Sequence, residues 1–126
     1  MHRSKLAGFI IDCRTDDLAG AARFWGAALG MPVVPLPGEE GQTYARLTDP
    51  NGALHVEVQT VGHESRVHLD IEADDIEAEV RRLEALGAKR IGQVKTWVVM
   101  QAPTGQRFCV VRPTSAAFAA TATRWP

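Results

Sequence analysis

Two stretches of the sequence, His55 to Gln59 and Val67 to Glu72, alternate apolar residues with histidines, acids and an amide. An imidazole beside a carboxylate can form an acid–base pair, since a neighbouring opposite charge tunes both pKa values. His68 and Glu57 are the candidate catalytic residues on that ground. His55, Asp70 and Cys109 are candidates to touch a ligand. Arg46 would favour an anionic or carbonyl-rich group, and Tyr44 and Trp97 would stack on a flat one. Each has a plainer role open to it. His68 could be a hydrogen-bonded structural histidine, Arg46 half of a salt bridge, and Asp12 and Asp70 anchors for a backbone amide or an arginine. No helix N-terminus or basic neighbour beside Cys109 is visible in the sequence, so it does not read as a nucleophile.

These side chains need strands to present them. Successive strand residues face opposite ways. Leu54, Val56 and Val58 then take a core face, and His55, Glu57 and Gln59 the other. Val67, Leu69 and Ile71 are expected in the core, with His68, Asp70 and Glu72 opposite. Leu47 and Met100 as core put Tyr44, Arg46, Trp97 and Val99 on the polar side.

The elements repeat. Ile11-Asp12-Cys13-Arg14-Thr15-Asp16-Asp17-Leu18 aligns without a gap on Leu69-Asp70-Ile71-Glu72-Ala73-Asp74-Asp75-Ile76, so Ile10 matches His68. Asp49-Pro50-Asn51-Gly52 aligns on Ala102-Pro103-Thr104-Gly105. Two such copies read as two modules sharing a core. Each begins with a strand, about 9–13 and 66–72. A helix follows, with Leu18, Ala21, Ala22, Trp25, Ala28 and Leu29 on one face in the first copy. Ile76, Val80, Leu83 and Leu86 do the same in the second. Asp17 and Asp74 are the expected N-caps, with Asp74 and Glu77 as a capping box; Gly30 and Gly87 are the expected C-terminal stops. Three short strands complete each copy, near 33–36, 43–48 and 54–60, then 89–94, 97–101 and 107–112. The fold class is therefore α+β: two tandem βαβββ modules, about 6–60 and 66–112, in one domain spanning 1–112. The tail, 113–126, reads as a weak helix or a frayed end.

Composition narrows the function. Lys plus Arg is 14 and Asp plus Glu is 15, which leaves no strong field to attract nucleic acid. No apolar run approaches the ~20 residues of a membrane helix, and nothing near Met1 reads as a signal peptide, so a cytoplasmic protein is expected. No glycine-rich phosphate loop and no Cys-x-x-Cys occurs.

The repeat, Phe24-Trp25 before Leu29-Gly30, Val67 to Ile71, Leu86-Gly87-Ala88 and Val99 to Val111 together resemble the vicinal oxygen chelate superfamily, in its small glyoxalase-like branch. That superfamily includes glyoxalase I, bleomycin-resistance proteins and extradiol dioxygenases. The resemblance implies a curved mixed sheet forming a cup, with helices on the convex face, and a homodimer. Its metal-dependent members take one ligand from each of four cup strands. The matching positions here are Ile10, Glu57, His68 and Cys109. Isoleucine donates nothing and a thiol is too soft for Mg²⁺ or Mn²⁺, so no resident metal or other cofactor is expected. Were a divalent metal to bind, Glu57, His68 and Cys109 would hold it. The leading expectation is a small-molecule-binding protein whose cup takes a polar or aromatic metabolite, with or without chemistry. The alternatives are a metal-dependent lyase, isomerase, dioxygenase or thiol transferase, and a drug-sequestering resistance protein.

Overall fold

Alternation of valines and leucines with polar residues builds the strands, and the computed structural model, which describes residues 1–126, shows where they go. The chain runs β1 (His2–Cys13), α1 (Leu18–Leu29), β2 (Val33–Pro35), α2 (Glu40–Thr43), β3 (Tyr44–Thr48) and β4 (His55–Thr60). It continues β5 (Arg66–Ala73), α3 (Ile76–Ala85), β6 (Lys89–Val94), β7 (Trp97–Gln101), β8 (Arg107–Val111), α4 (Phe118–Thr121) and β9 (Thr123–Trp125). Apart from α2 and the tail, this is βαβββ twice, an α+β fold. The residues form two compact units: Phe9–Val67, and Met1–Gly8 with His68–Pro126.

In the unit of residues 9–67, β2, β3 and β4 pair antiparallel. Ile11, Leu47, Val56 and Val58 form its core, closed over by Leu18, Ala21 and Trp25 of α1. Asp17 caps α1 by accepting the Gly20 N–H at 3.0 Å, and Gly30 ends it at φ 68°, a conformation free of strain only without a side chain. Leu29 and Ala28, expected on the apolar face, are exposed because they fall in the last turn, past the end of that core.

In the other unit, β5 pairs parallel with β8, β8 antiparallel with β7, and β7 with β6. Val80 and Leu83 of α3 pack on Val98, Met100, Val110 and Ala73. Helix α3 lies over β6, β7 and β8. Only the far end of β5, Ile71 to Ala73, reaches this cluster. Val67 and Leu69, expected in the core, are therefore 57% and 51% exposed. Leu86 is likewise exposed, one residue beyond the helix.

Two local expectations change. Asp75, not Asp74, caps α3, accepting the Ala78 N–H at 3.0 Å. Asp74 is held by the start of β1: its carboxylate accepts the Arg3 N–H at 2.8 Å, and its own N–H donates to the Arg3 carbonyl at 3.2 Å. Glu77 meets Arg90 at 2.6 Å instead of closing a capping box. The tail is neither frayed nor merely helical. After the single turn of α4, β9 pairs antiparallel with His2 to Ser4 of β1. Trp125 Nε1–H donates to Ser4 Oγ at 2.8 Å, and its ring lies 3.8 Å beneath the Arg82 guanidinium.

Candidate functional site

Parallel pairing sets Asp70 of β5 opposite Cys109 of β8, so both side chains leave the same face of the ladder. His68, two residues before Asp70, shares that face. The core lies on the other, with Phe108 and Val110. The result is a tight polar group. One ligand atom from each of His68, Asp70 and Cys109 lies within 4.8 Å of the other two. His68 Nε2 is 3.5 Å from Asp70 Oδ1, with side-chain exposures of 15% and 11%. Asp70 Oδ1 accepts no hydrogen bond, although it is buried. Cys109 is buried as well and carries a free thiol. These residues could hold a metal ion, and the donor set differs from the expected one in taking Asp70.

In the other unit, β4 presents the analogous pair. His55 Nε2 is 3.6 Å from Glu57 Oε1, both side chains largely buried. Register sets Arg46 opposite Glu57 and Tyr44 opposite Gln59, and Gln59 Nε2 donates to the Tyr44 hydroxyl at 2.8 Å. Arg46 is exposed. Asp12 lies 3.9 Å from Arg66, an arginine pairing of the kind the sequence allowed. Trp97 stands half-buried in β7, opposite Val94.

Each histidine thus has an acid at spacing two on its own strand: His55 with Glu57, His68 with Asp70. The sequence alone shows no basic neighbour for Cys109, which the structure supplies in His68. What the sequence lacked was the β5–β8 ladder, because alternation assigns faces but not neighbours. It also missed a cavity of about 650 Å³ on the helix side of the 9–67 unit. That cavity is lined by Leu18, Ala22 and Gly26 of α1 with Met31, Val33 and Ala45, and Tyr44 reaches its wall. A run of small residues on α1 was the available signal, read as ordinary core. The other thiol, Cys13, is pushed above its ordinary pKa by burial, an effect that a Trp25 hydrogen bond opposes and the charge of Asp12 reinforces. It is the less nucleophilic for it.

The family is decided by a direct match: residues 8–111 fit the model of the glyoxalase-like domain. The chain belongs to the glyoxalase-like domain family. With it comes membership of the vicinal oxygen chelate superfamily. Among solved structures, methylmalonyl-CoA epimerase from Mycobacterium tuberculosis is similar, with a TM-score of 0.63, 19% identity, and 92% and 91% of the two chains covered. A methylmalonyl-CoA epimerase variant from Streptomyces coelicolor gives 0.56 at 18% identity, covering 90% and 96%. A variant of 4-hydroxymandelate synthase from Streptomyces coelicolor gives 0.59 at 16% identity, covering 90% of this chain and 50% of that one. At such identities the likeness is one of fold. No curated protein matches the chain in sequence.

The four-position metal set of the superfamily does not fit this glyoxalase-like chain. Ile10 is 2% exposed and brings only hydrocarbon. A thiol stands at the last position. No step through a four-ligand Mg²⁺ or Mn²⁺ centre follows from these donors.

Proposed function

We propose that this glyoxalase-like protein binds a small polar or aromatic metabolite against the face carrying His68, Asp70 and Cys109, without the four-ligand metal set of its superfamily. The supporting observation is the buried group itself. An imidazole, a carboxylate and a thiol share one face of a sheet, and Asp70 Oδ1 is left without a hydrogen-bond donor. A ligand that donates to Asp70 would remove the cost of that buried orphan, about 1–3 kcal/mol. In this reading His68, with the Asp70 carboxylate 3.5 Å away, would exchange a proton with a bound carbonyl or hydroxyl. The proposal also gives Glu57 and His55 a ligand-contacting role, with Arg46, Tyr44 and Trp97 as walls; this part rests on the sequence repeat. A cytoplasmic homodimer completes it. Two free cysteines support the compartment, and no helix is long and apolar enough to cross a membrane.

A thermal-shift screen of polar and aromatic metabolites in chelator tests the reading. At least one class is expected to raise Tm, and His68→Ala and Glu57→Gln to lose most of that shift while melting within a few degrees of wild type. Ligands that stabilise both variants as well as wild type would remove these residues from the site.

A further inference from the structure

The superfamily's four-position set is incomplete, yet two of its positions, His68 and Cys109, converge with Asp70, which lies outside that set. We infer that His68, Asp70 and Cys109 form a site for one thiophilic divalent cation, Zn²⁺, held by imidazole, carboxylate and thiolate with a water in the fourth position. The inference rests on the same group as the proposed function and adds to it a metal that the four-position set would not hold.

Three observations carry it. The first is a distance. The 3.5 Å between His68 Nε2 and Asp70 Oδ1 is longer than a good hydrogen bond. Two ligands of a tetrahedral zinc, each at roughly 2.0–2.3 Å from the ion, stand roughly 3.3–3.8 Å apart. The pair is thus spaced as two ligands of one ion. The second is the orphaned Asp70 Oδ1, buried with no hydrogen bond and so free to donate to a cation. The third is register. Asp70 and Cys109 are direct partners across the β5–β8 ladder, so the thiol is aimed from the adjacent strand toward the same point.

Charge selects the ion. A carboxylate and a thiolate together cancel Zn²⁺, so the buried group becomes neutral when loaded. Zinc takes its sulfur donor as thiolate rather than thiol. Loading is therefore an exchange: the Cys109 S–H bond breaks, its electron pair goes to zinc, and one proton leaves to solvent. A sulfur donor ranks Zn²⁺ and Co²⁺ well above Mg²⁺ and Mn²⁺. This is the reverse of an all-oxygen or imidazole–carboxylate cage.

The test uses the full chain, reduced and stripped with chelator. Zn²⁺ should bind at one equivalent per chain and release close to one proton, read by calorimetry in buffers of differing ionisation enthalpy. Co²⁺ should produce a sulfur-to-cobalt charge-transfer band. Cys109→Ser should abolish the band, and Cys13→Ser should keep it. Asp70→Asn should weaken zinc at least about tenfold. Mg²⁺ in large excess should not displace zinc. The inference falls if wild type takes up no zinc or releases no proton. It also falls if the band survives Cys109→Ser or disappears with Cys13→Ser. Metabolite shifts that persist in chelator after zinc binding has failed would leave the binding reading standing, so the two can fail separately.

Discussion

Glu79 is fully buried on α3. Burial alone would raise its pKa. Hydrogen bonds from Arg82, His2 and Ser4 outweigh that and hold the carboxyl below its ordinary value. Both Arg82 nitrogens sit at 2.8 Å, and His2 Nε2 at 2.7 Å. A carboxyl whose pKa is lower folded than unfolded contributes stability above the unfolded value, and loses it as pH falls through the folded one. Glu79→Gln is therefore expected to destabilise by about 3 kcal/mol at pH 7, because Arg82 and His2 lose a buried partner. Urea titrations of wild type and variant at pH 7 and pH 3 should show the gap narrowing in acid. Nothing in the sequence marks Glu79 as buried: it stands beside Val80 on α3 as one more acid among Glu77 and Glu84. The polar faces were legible by contrast, since strand alternation assigned His55, Glu57, His68, Asp70 and Cys109 correctly to the side away from the core. That Cys109 meets Asp70 and His68 was not, because it depends on β5 and β8 pairing far apart in the chain.

At the scale of elements, the sequence was most informative where a residue has one physical job. Asp17 at the start of α1, and Gly30 and Gly87 at positive φ after the helices, are such cases. It misled where two residues compete for a job, as Asp74 and Asp75 do. Asp75→Ala is expected to cost about 1 kcal/mol through the lost cap. Asp74→Ala acts instead on the tie between Arg3 and β5's end, so hydrogen exchange at the Arg3 amide should accelerate in that variant and not in the other. The close seat of α1 gives a sharper case. A methyl group added at Gly26 would lie 2.8 Å from the Met31 carbonyl oxygen and 2.9 Å from Val33. Backbone must move to admit it, so Gly26→Ala should destabilise by about 1–3 kcal/mol despite alanine's better helix propensity. Chemical denaturation of the variant checks this, and an unchanged midpoint would show that the β2 segment yields freely.

For the molecule as a whole, the proposed homodimer would draw on exposed apolar side chains. Leu6 of β1 and Leu69 of β5 are each about half exposed. A second copy covering them would bury area worth about 25 cal/mol per Å². Light scattering should report a dimer, and Leu69→Lys should shift it toward monomer with the melting profile otherwise intact; a wild-type monomer at high concentration would contradict the proposal. The tail shows the opposite arrangement, an apolar ring brought home. Trp125 lies against a cation and a hydroxyl, whereas Trp25 packs in the other unit's core and Trp97 sits in a hairpin. The molecule consequently carries three native optical reporters at separate addresses. With Trp25 and Trp97 replaced by phenylalanine, the emission of Trp125 alone would time the release of β9 from β1. A red shift at lower denaturant than the main transition would identify β9 as the first segment to peel away.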